Sequence, residues 1–177
     1  MNNWYIVSTW KGRENSLVKG ILAYNAEKSI NIVMPFIPTK ETFFKRAGNI
    51  KKETSVMFPG YVFIETSMGA YDFLVYSKKV QRIFRDFITV LRYGDSDETA
   101  VRWEERFALL KYMDDKWCIE TSLGFRENDV ITIIEGALVG HEAQIKKIDN
   151  HKMRAWVEVE ILGKKTIIEL GLQMITL

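Results

Sequence analysis

The chain has 177 residues, of which 47% are hydrophobic and 27% are charged, and its formal net charge is +2. This is the composition of a globular protein with room for one ordinary domain and a second small one, and the weak net charge argues against a surface that binds nucleic acid over its whole extent. No apolar run approaches the roughly 20 residues of a membrane-spanning helix, and no signal-peptide pattern is evident. The single cysteine, Cys118, excludes an intramolecular disulfide. These features predict a cytoplasmic protein that does not enter a membrane.

The first elements in chain order are a strand, a helix and a second strand. Residues 4–9 are aromatic and β-branched, which predicts a largely buried strand. Apolar residues at helical spacing predict a helix over 13–27. A second strand begins at residue 32 and meets Pro35 and Pro38. Because proline cannot donate a ladder hydrogen bond, this strand is expected at a sheet edge or as an irregular extension.

The middle of the chain alternates between polar and apolar segments. Residues 40–56 are polar and basic and predict an exposed hairpin or loop with its turn at Gly48-Asn49. The run that follows, opened by Pro59-Gly60, predicts a central strand over 58–65. The same criteria then predict a short helix over 71–79, a strand within 83–92 and a helix from residue 95 to about 113.

The composition changes after residue 117. Short β-branched runs alternate with turn residues and show no helical spacing, which predicts a small five-stranded β-barrel. The five predicted strands cover residues 130–134, 143–148, 155–162, 166–170 and 174–177. The fold class is therefore α+β, an antiparallel sheet with helices followed by a separate barrel, and the domain boundary lies between residues 114 and 124.

Signatures of catalysis and of metal binding are absent from the sequence. His141, His151 and Cys118 are candidate zinc ligands, but no fourth ligand stands at a usual spacing. The chain also lacks the phosphate-binding loop, the nucleophile elbow and the dinucleotide-binding glycine pattern. We therefore expect a binding protein with no enzyme activity, no cofactor and no metal.

Several motifs resemble those of the NusG family of transcription elongation factors. The resemblance covers essentially the whole chain and keeps the order of the family's NGN and KOW domains. In the NGN part the resemblance rests on Trp-Tyr-Ile-Val at 4–7, Met-Pro-Phe-Ile-Pro at 34–38 and Phe-Pro-Gly-Tyr-Val-Phe at 58–63. In the KOW part it rests on residues 128–133, 135–136, 139–140, 157–159 and 161–166. It implies an NGN-type α/β sandwich over 1–113, a flexible linker over 114–123 and an SH3-like KOW barrel over 124–177.

The resemblance also implies partners. An NGN domain binds the clamp helices of RNA polymerase, and a KOW domain recruits a further factor, which in housekeeping members is Rho or a ribosomal protein. A monomer is expected. We assign polymerase binding to an aromatic patch at the starts of two neighbouring strands, since aromatic residues are enriched at binding hot spots. The patch comprises Trp4, Tyr5, Phe58, Pro59, Gly60 and Tyr61. The alternative is that its aromatic side chains belong to the core.

The KOW segment departs from the housekeeping pattern. Ala143 stands where the motif usually has glycine, and Leu162 occupies a tip position where an aromatic residue commonly engages Rho or the ribosomal protein. The segment is also rich in cations. These departures indicate a specialised paralogue, similar to the LoaP-type antiterminators, whose KOW domain contacts a nascent RNA hairpin. The expected RNA-binding residues, gathered at one end of the barrel, are Lys146, Lys147, His151, Lys152, Arg154, Lys164 and Lys165.

Two alternatives stay open at this point. Lysine-rich turns also serve solubility and edge protection, in which case the protein is a general NusG that couples polymerase to Rho or the ribosome. A second set of basic residues faces nucleic acid, an acidic patch of polymerase or solvent. This set comprises Lys51, Lys52, Arg82 and Arg85.

Overall fold

The computed structural model describes residues 2–128 and 130–175, and the chain forms two compact units. The first unit comprises Met1–Pro38 and Phe58–Arg106, and the second comprises Thr39–Met57 and Phe107–Leu177. The predicted α+β class is confirmed, because the described residues combine three α-helices with sheets whose strand pairs are mostly antiparallel.

The first unit is a four-stranded antiparallel sheet with two helices packed on one face. Its strands run in the order β2-β5-β1-β6. The elements are β1 (Asn3–Ser8), α1 (Glu14–Glu27), β2 (Val33–Phe36), β5 (Tyr61–Thr66), α2 (Ala70–Ile83), β6 (Thr89–Val90) and the start of α3 (Trp103–Leu110). The edge position predicted for the proline-containing strand is confirmed, and the central strand β5 lies between β2 and β1.

The sheet of this unit buries apolar side chains on both faces. Tyr5 and Val7 of β1 lie in one core cluster with residues of α1 and α2, and the Tyr5 ring stacks on Phe73 at a centroid distance of 3.9 Å. Trp4 and Phe63, which alternate to the other face, pack edge to face at 5.9 Å. Burial on both faces explains why β1 is a continuous apolar run.

The strand predicted within 83–92 is present but covers only two residues. Helix α2 continues to Ile83, and only Thr89–Val90 pairs with β1. Phe73, Tyr76 and Val80 are buried at helical spacing on one face. The helix therefore gains packing energy by continuing past residue 79.

The second unit contains two sheets. One has the order β4-β3-β7, and the other has the order β10-β11-β12-β8-β9. Besides the end of α3, the elements are β3 (Thr39–Arg46), β4 (Asn49–Val56), β7 (Cys118–Ile119), β8 (Ser122–Glu127), β9 (Val130–Glu135), β10 (Ile145–Asp149), β11 (Arg154–Ile161) and β12 (Lys164–Ile175).

The five strands of the larger sheet differ from the five predicted ones. The strand over 122–127 was not predicted, and the strands predicted over 166–170 and 174–177 are one strand, β12; residues 176 and 177 lie outside the described residues. Gly171 does not end the strand, because β3 passes close to it. A Cβ there would lie 3.0 Å from the carbonyl oxygen of Glu41 and 3.1 Å from the Cα of Thr42. The glycine thus marks a close backbone approach rather than a turn.

The predicted hairpin over 40–56 is confirmed as β3–β4, and it packs with the residues of the larger sheet. The Lys40 ammonium donates to the carbonyl oxygen of Glu169 at 2.7 Å. The Arg154 guanidinium donates to the carbonyl oxygen of Phe43 at 2.6 Å. Burial lowers the pKa of Lys40, although the nearby Glu169 carboxylate opposes this.

The predicted linker over 114–123 is packed in this structure. Strand β7 pairs with β3, and Ile119 is fully buried. That residues 1–113 and 124–177 fold as independent domains stays a prediction.

Candidate functional site

Two glycine-containing turns lie side by side in the first unit. The Tyr61 N–H donates to the Phe58 carbonyl at 3.1 Å, and Gly60 has a φ of +90°. Proline followed by a glycine with positive φ is the pattern of a type II turn. The residues Phe58, Pro59, Gly60 and Tyr61 therefore form a tight turn directly before β5.

The second turn follows β1. The Arg13 N–H donates to the Trp10 carbonyl at 2.8 Å, and Gly12 has a φ of +86°. The two turns are joined by a hydrogen bond of 2.8 Å from the Thr9 N–H to the Gly60 carbonyl. We call the surface formed by residues 10–13 and 58–61 the double-turn surface.

Glu14, the first residue of α1, holds the Pro-Gly turn through a hydrogen bond to its backbone. Its side chain is 3% exposed, and its carboxylate accepts the Gly60 N–H at 2.6 Å. Burial alone would raise the pKa of this carboxyl. Hydrogen bonds from the backbone N–H groups of Gly60, Glu14 and Gly12 outweigh burial and hold the pKa below its ordinary value. Glu14 is therefore a buried anion that holds the turn in one conformation.

The double-turn surface exposes aromatic side chains. Tyr61 is 38% exposed and Trp10 is 63% exposed. Tyr61 points away from the helices, since its neighbour Val62 lies in the helix-facing core. Phe58 is half-buried and packs on Phe63 at a centroid distance of 5.7 Å. The surface thus combines a supported ring with two exposed ones.

The prediction that Trp4 and Tyr5 complete a surface patch is wrong, because both are fully buried. The Trp4 indole donates to the Glu65 carboxylate at 3.0 Å and lies 5.0 Å from the Arg106 guanidinium. The Tyr5 hydroxyl donates to the Met68 carbonyl at 3.1 Å, and burial raises the pKa of Tyr5. Both residues support the sheet that carries the double-turn surface.

Sequence reasoning missed Trp10. The signal was present, because Trp-Lys-Gly-Arg at 10–13 has the same form as Phe-Pro-Gly-Tyr at 58–61: an aromatic residue, then a glycine at the third position. Both segments flank strands predicted to be neighbours. An exposed Met34, 55% accessible on the edge strand β2, was also missed.

The basic residues of the second unit do not gather at one end of the sheet, contrary to the prediction. His151 and Lys152 lie in the turn before β11, whereas Lys164 pairs with Ile161 at the far end of that strand. Strand β11 has eight residues and spans about 26 Å at roughly 3.3 Å per residue. Lys146 and Lys147 lie on β10, with the Lys147 ammonium 5.0 Å from the Trp156 ring.

Arg154 differs from its lysine neighbours because its guanidinium is engaged within the protein. It donates to the Glu169 carboxylate at 3.0 Å and to three backbone carbonyls, including that of Phe43. Its side chain is only 16% exposed. These bonds occupy Arg154 within the protein, so among the predicted RNA-binding residues it is placed less well for RNA than the exposed lysines. Lys146, Lys147, Lys152, Lys164 and Lys165 are exposed, although Lys165 forms an ion pair with Glu158 at 3.2 Å.

Leu162 and His141 both pack against other parts of the protein. Leu162 is 6% exposed and has a φ of +51° in the β11–β12 turn. The His141 ring packs edge to face on Tyr112 at 4.9 Å. Within residues 2–128 and 130–175, no group of three or more His, Cys, Asp or Glu side chains is placed to hold a metal ion. In the same residues, no helix combines the length and apolarity needed to cross a bilayer.

Comparison with known proteins gives consistent results. A family described as "Transcription termination factor nusG" matches residues 2–110. A protein of Streptococcus pyogenes serotype M3 named "Transcription termination/antitermination protein NusG" is 27% identical over 180 residues, covering 97% of this chain and 94% of the relative. A relative of the same name in Helicobacter pylori is 25% identical, and the match covers 96% of this chain and 95% of the relative. Another in Vibrio cholerae is 27% identical, with coverage of 94% and 91%.

Two solved structures are similar to this chain. One, titled "Domain interaction in Thermotoga maritima NusG", has 25% identity and a TM-score of 0.47, and the match covers 97% of this chain and 94% of that one. The other, a "MjSpt4:Spt5 complex", has 13% identity and a TM-score of 0.36, with coverage of 95% and 91%.

Proposed function

The chain belongs to the NusG family of transcription factors, and we propose that it binds the clamp helices of RNA polymerase through the double-turn surface. In this role it acts as an elongation or antitermination factor. The observation that carries the proposal is the exposure of Tyr61 and Trp10 beside the supported ring of Phe58.

An amphipathic helix is a suitable partner for this surface. Such helices bind through a few apolar anchors that enter a groove or pocket lined by apolar and aromatic groups. Tyrosine and tryptophan offer a large apolar area together with one polar group, which is why they are frequent at binding hot spots. The neighbouring Lys11 and Arg13 are exposed and add positive charge at the rim.

Rigidity of the two turns favours binding. The Thr9 to Gly60 hydrogen bond and the Glu14 carboxylate fix the backbone before a partner arrives. A surface that is already ordered loses less conformational entropy on association. Trp4 and Tyr5 contribute from inside the sheet, since they hold β1 and β5 in register beneath the turns.

A binding titration with core RNA polymerase tests this function. We expect the full chain to bind core polymerase, and a peptide that forms the isolated clamp coiled coil to compete for the same site. Undiminished binding in the presence of saturating clamp peptide would contradict the proposal.

For the KOW segment we propose contact with a nascent RNA hairpin through the exposed lysines. Lys146 and Lys147 lie on the outer strand β10, and the Lys147 ammonium packs on Trp156, so a cation and a ring are presented together. These lysines contact phosphates and attract RNA without reading its sequence. Burial of Leu162 at the tip removes an exposed anchor there, which favours RNA over the Rho or ribosome contact of a housekeeping member.

Replacement of Lys146 and Lys147 by glutamine tests the RNA contact. We expect weaker binding of leader RNA from the protein's own operon, and a salt dependence reduced by about one unit of slope for each lysine. Unchanged RNA binding by this variant would favour the general NusG role, and so would binding of Rho or a ribosomal protein by a chain that does not bind RNA.

A further inference from the structure

The β3–β4 hairpin ends in a narrow, exposed tip. Ala47 and Gly48, the two central residues of its turn, have φ values of +50° and +81°, and Arg46 pairs with Asn49 across it. Positive φ at both central residues is the geometry of a type I′ turn, the tightest connection between two antiparallel strands. Residues 45–55 are exposed throughout, including almost all of β4, the outer strand of its sheet.

The tip carries a concentrated positive charge. Residues 45–52 contain four cations, Lys45, Arg46, Lys51 and Lys52, and no carboxylate. The net charge of the whole chain is only +2, from 25 cations and 23 carboxylates, so the remainder of the chain is net negative at 21 against 23. The tip is therefore a local concentration of positive charge on a chain that is otherwise close to neutral.

The four cations lie on both faces of the hairpin. Side chains that are paired across strands share a face, and successive residues alternate. Lys45, which pairs with Ile50, and Lys52, which pairs with Phe43, share one face. Arg46 and Lys51 share the other. The Lys52 ammonium lies 3.4 Å from the Glu41 carboxylate, and Glu53 follows Lys51 on the same face of β4.

We propose that this tip binds double-stranded DNA by contacting phosphates on both sides of the major groove. The major groove is about 12 Å wide and admits a two-stranded β-ribbon, whereas the deep and narrow major groove of an RNA duplex does not. A ribbon with cations on both faces meets the phosphates of both groove walls. Phosphate contacts of this kind position a protein without reading sequence.

Single-stranded nucleic acid suits the tip less well. Proteins that bind single strands stack bases on exposed aromatic rings. Residues 45–52 contain no aromatic side chain; of the two rings beside them, Phe43 is 5% exposed and Phe44 is half-buried. The tip therefore offers charge and shape but no fully exposed ring for stacking. This contact goes beyond binding to polymerase and is tested in the absence of polymerase.

The experiment is a salt series of dissociation constants for the full chain and a 24-base-pair DNA duplex of arbitrary sequence. Four phosphate contacts give a slope of about −3.6 in log K against log salt, which is a loss of about 150-fold between 50 and 200 mM salt. Replacing Lys45, Arg46, Lys51 and Lys52 by glutamine should remove most of that slope. The charge-matched control replaces four exposed lysines of the first unit, Lys19, Lys28, Lys78 and Lys79, and should keep it.

Single variants give a finer readout. Lys51→Gln should reduce the slope by about 0.9, whereas Lys52→Gln should reduce it less, because Glu41 already neutralises part of that charge. The proposal is overturned if wild type does not bind the duplex at 50 mM salt, or if the hairpin and control variants lose equal slope. It is also overturned if an RNA duplex or a single strand of the same sequence binds more tightly through the same four residues.

Discussion

Replacing Tyr61 by alanine removes the central exposed ring of the double-turn surface. A tyrosine has about 200 Å² of surface, and Tyr61 is 38% exposed, so about 80 Å² remains for a partner to cover. At roughly 25 cal/mol per Å², covering this area contributes about 2 kcal/mol. The loss corresponds to about a 30-fold rise in the Kd for core RNA polymerase.

The assay is a fluorescence titration of labelled protein with core polymerase, together with thermal unfolding of each variant. Tyr71→Ala is the matched control, because Tyr71 is 79% exposed but lies on α2, on the opposite face of the sheet. The control variant should bind like wild type. Tyr61→Ala should keep the wild-type Tm, since a half-exposed side chain at the start of a strand contributes little to the core.

Two results would refute this reasoning. The first is a folded Tyr61→Ala variant with an unchanged Kd. The second is an equal loss for Tyr61→Ala and Tyr71→Ala, which would show that exposed aromatic area matters but that the double-turn surface does not.

Three further predictions concern the residues that shape the fold. Glu14→Gln should lower the free energy of unfolding by about 1 kcal/mol at pH 7. Because the folded-state pKa of Glu14 is depressed, its contribution to stability is present above the ordinary carboxyl pKa and is lost as the pH falls through the folded-state pKa. The free energies of unfolding of wild type and variant, measured with denaturant, should therefore converge on acidification, and a constant difference between them would contradict this. Gly60→Ala should lower the Tm measured by calorimetry by about 5 °C, since a φ of +90° costs an L-residue about 1–2 kcal/mol. Gly69→Ala should lower it less, because Gly69 has ordinary φ and open space, and only its place as the N-cap of α2 disfavours alanine. Arg154→Ala should destabilise the protein by about 2–3 kcal/mol, because Glu169 and the Phe43 carbonyl lose their donor; unchanged stability with altered RNA discrimination would restore Arg154 as an RNA contact.

The strands of the first unit were predictable because their residues have a strong local preference. Continuous aromatic and β-branched runs mark β1 and β5, and the prolines mark β2 as an edge strand. The burial of Trp4 was not predictable in the same way. A strand that is buried on both faces shows no alternation of apolar and polar residues, so its sequence does not reveal which side chains reach the surface.

The larger sheet of the second unit shows a different limit. Gly171 has the local signal of a turn, and only the approach of β3, more than 120 positions earlier in the chain, explains why it lies within a strand. The position of the lysines likewise depends on the length of β11, which separates Lys152 from Lys164. The structural contacts of Arg154 were not predictable, because a basic residue in a basic segment gives no local indication that a distant carbonyl accepts its hydrogen bond.

Crosslinking from the double-turn surface tests the central claim most directly. A photoreactive amino acid placed at Trp10, which is 63% exposed, would be activated in a complex of the full chain with core RNA polymerase, and the crosslinked peptides identified by mass spectrometry. The account predicts crosslinks to the clamp helices, and none to them from the same group placed at Tyr71. Crosslinks from Trp10 that fall elsewhere on polymerase, with the clamp helices unlabelled, would contradict it.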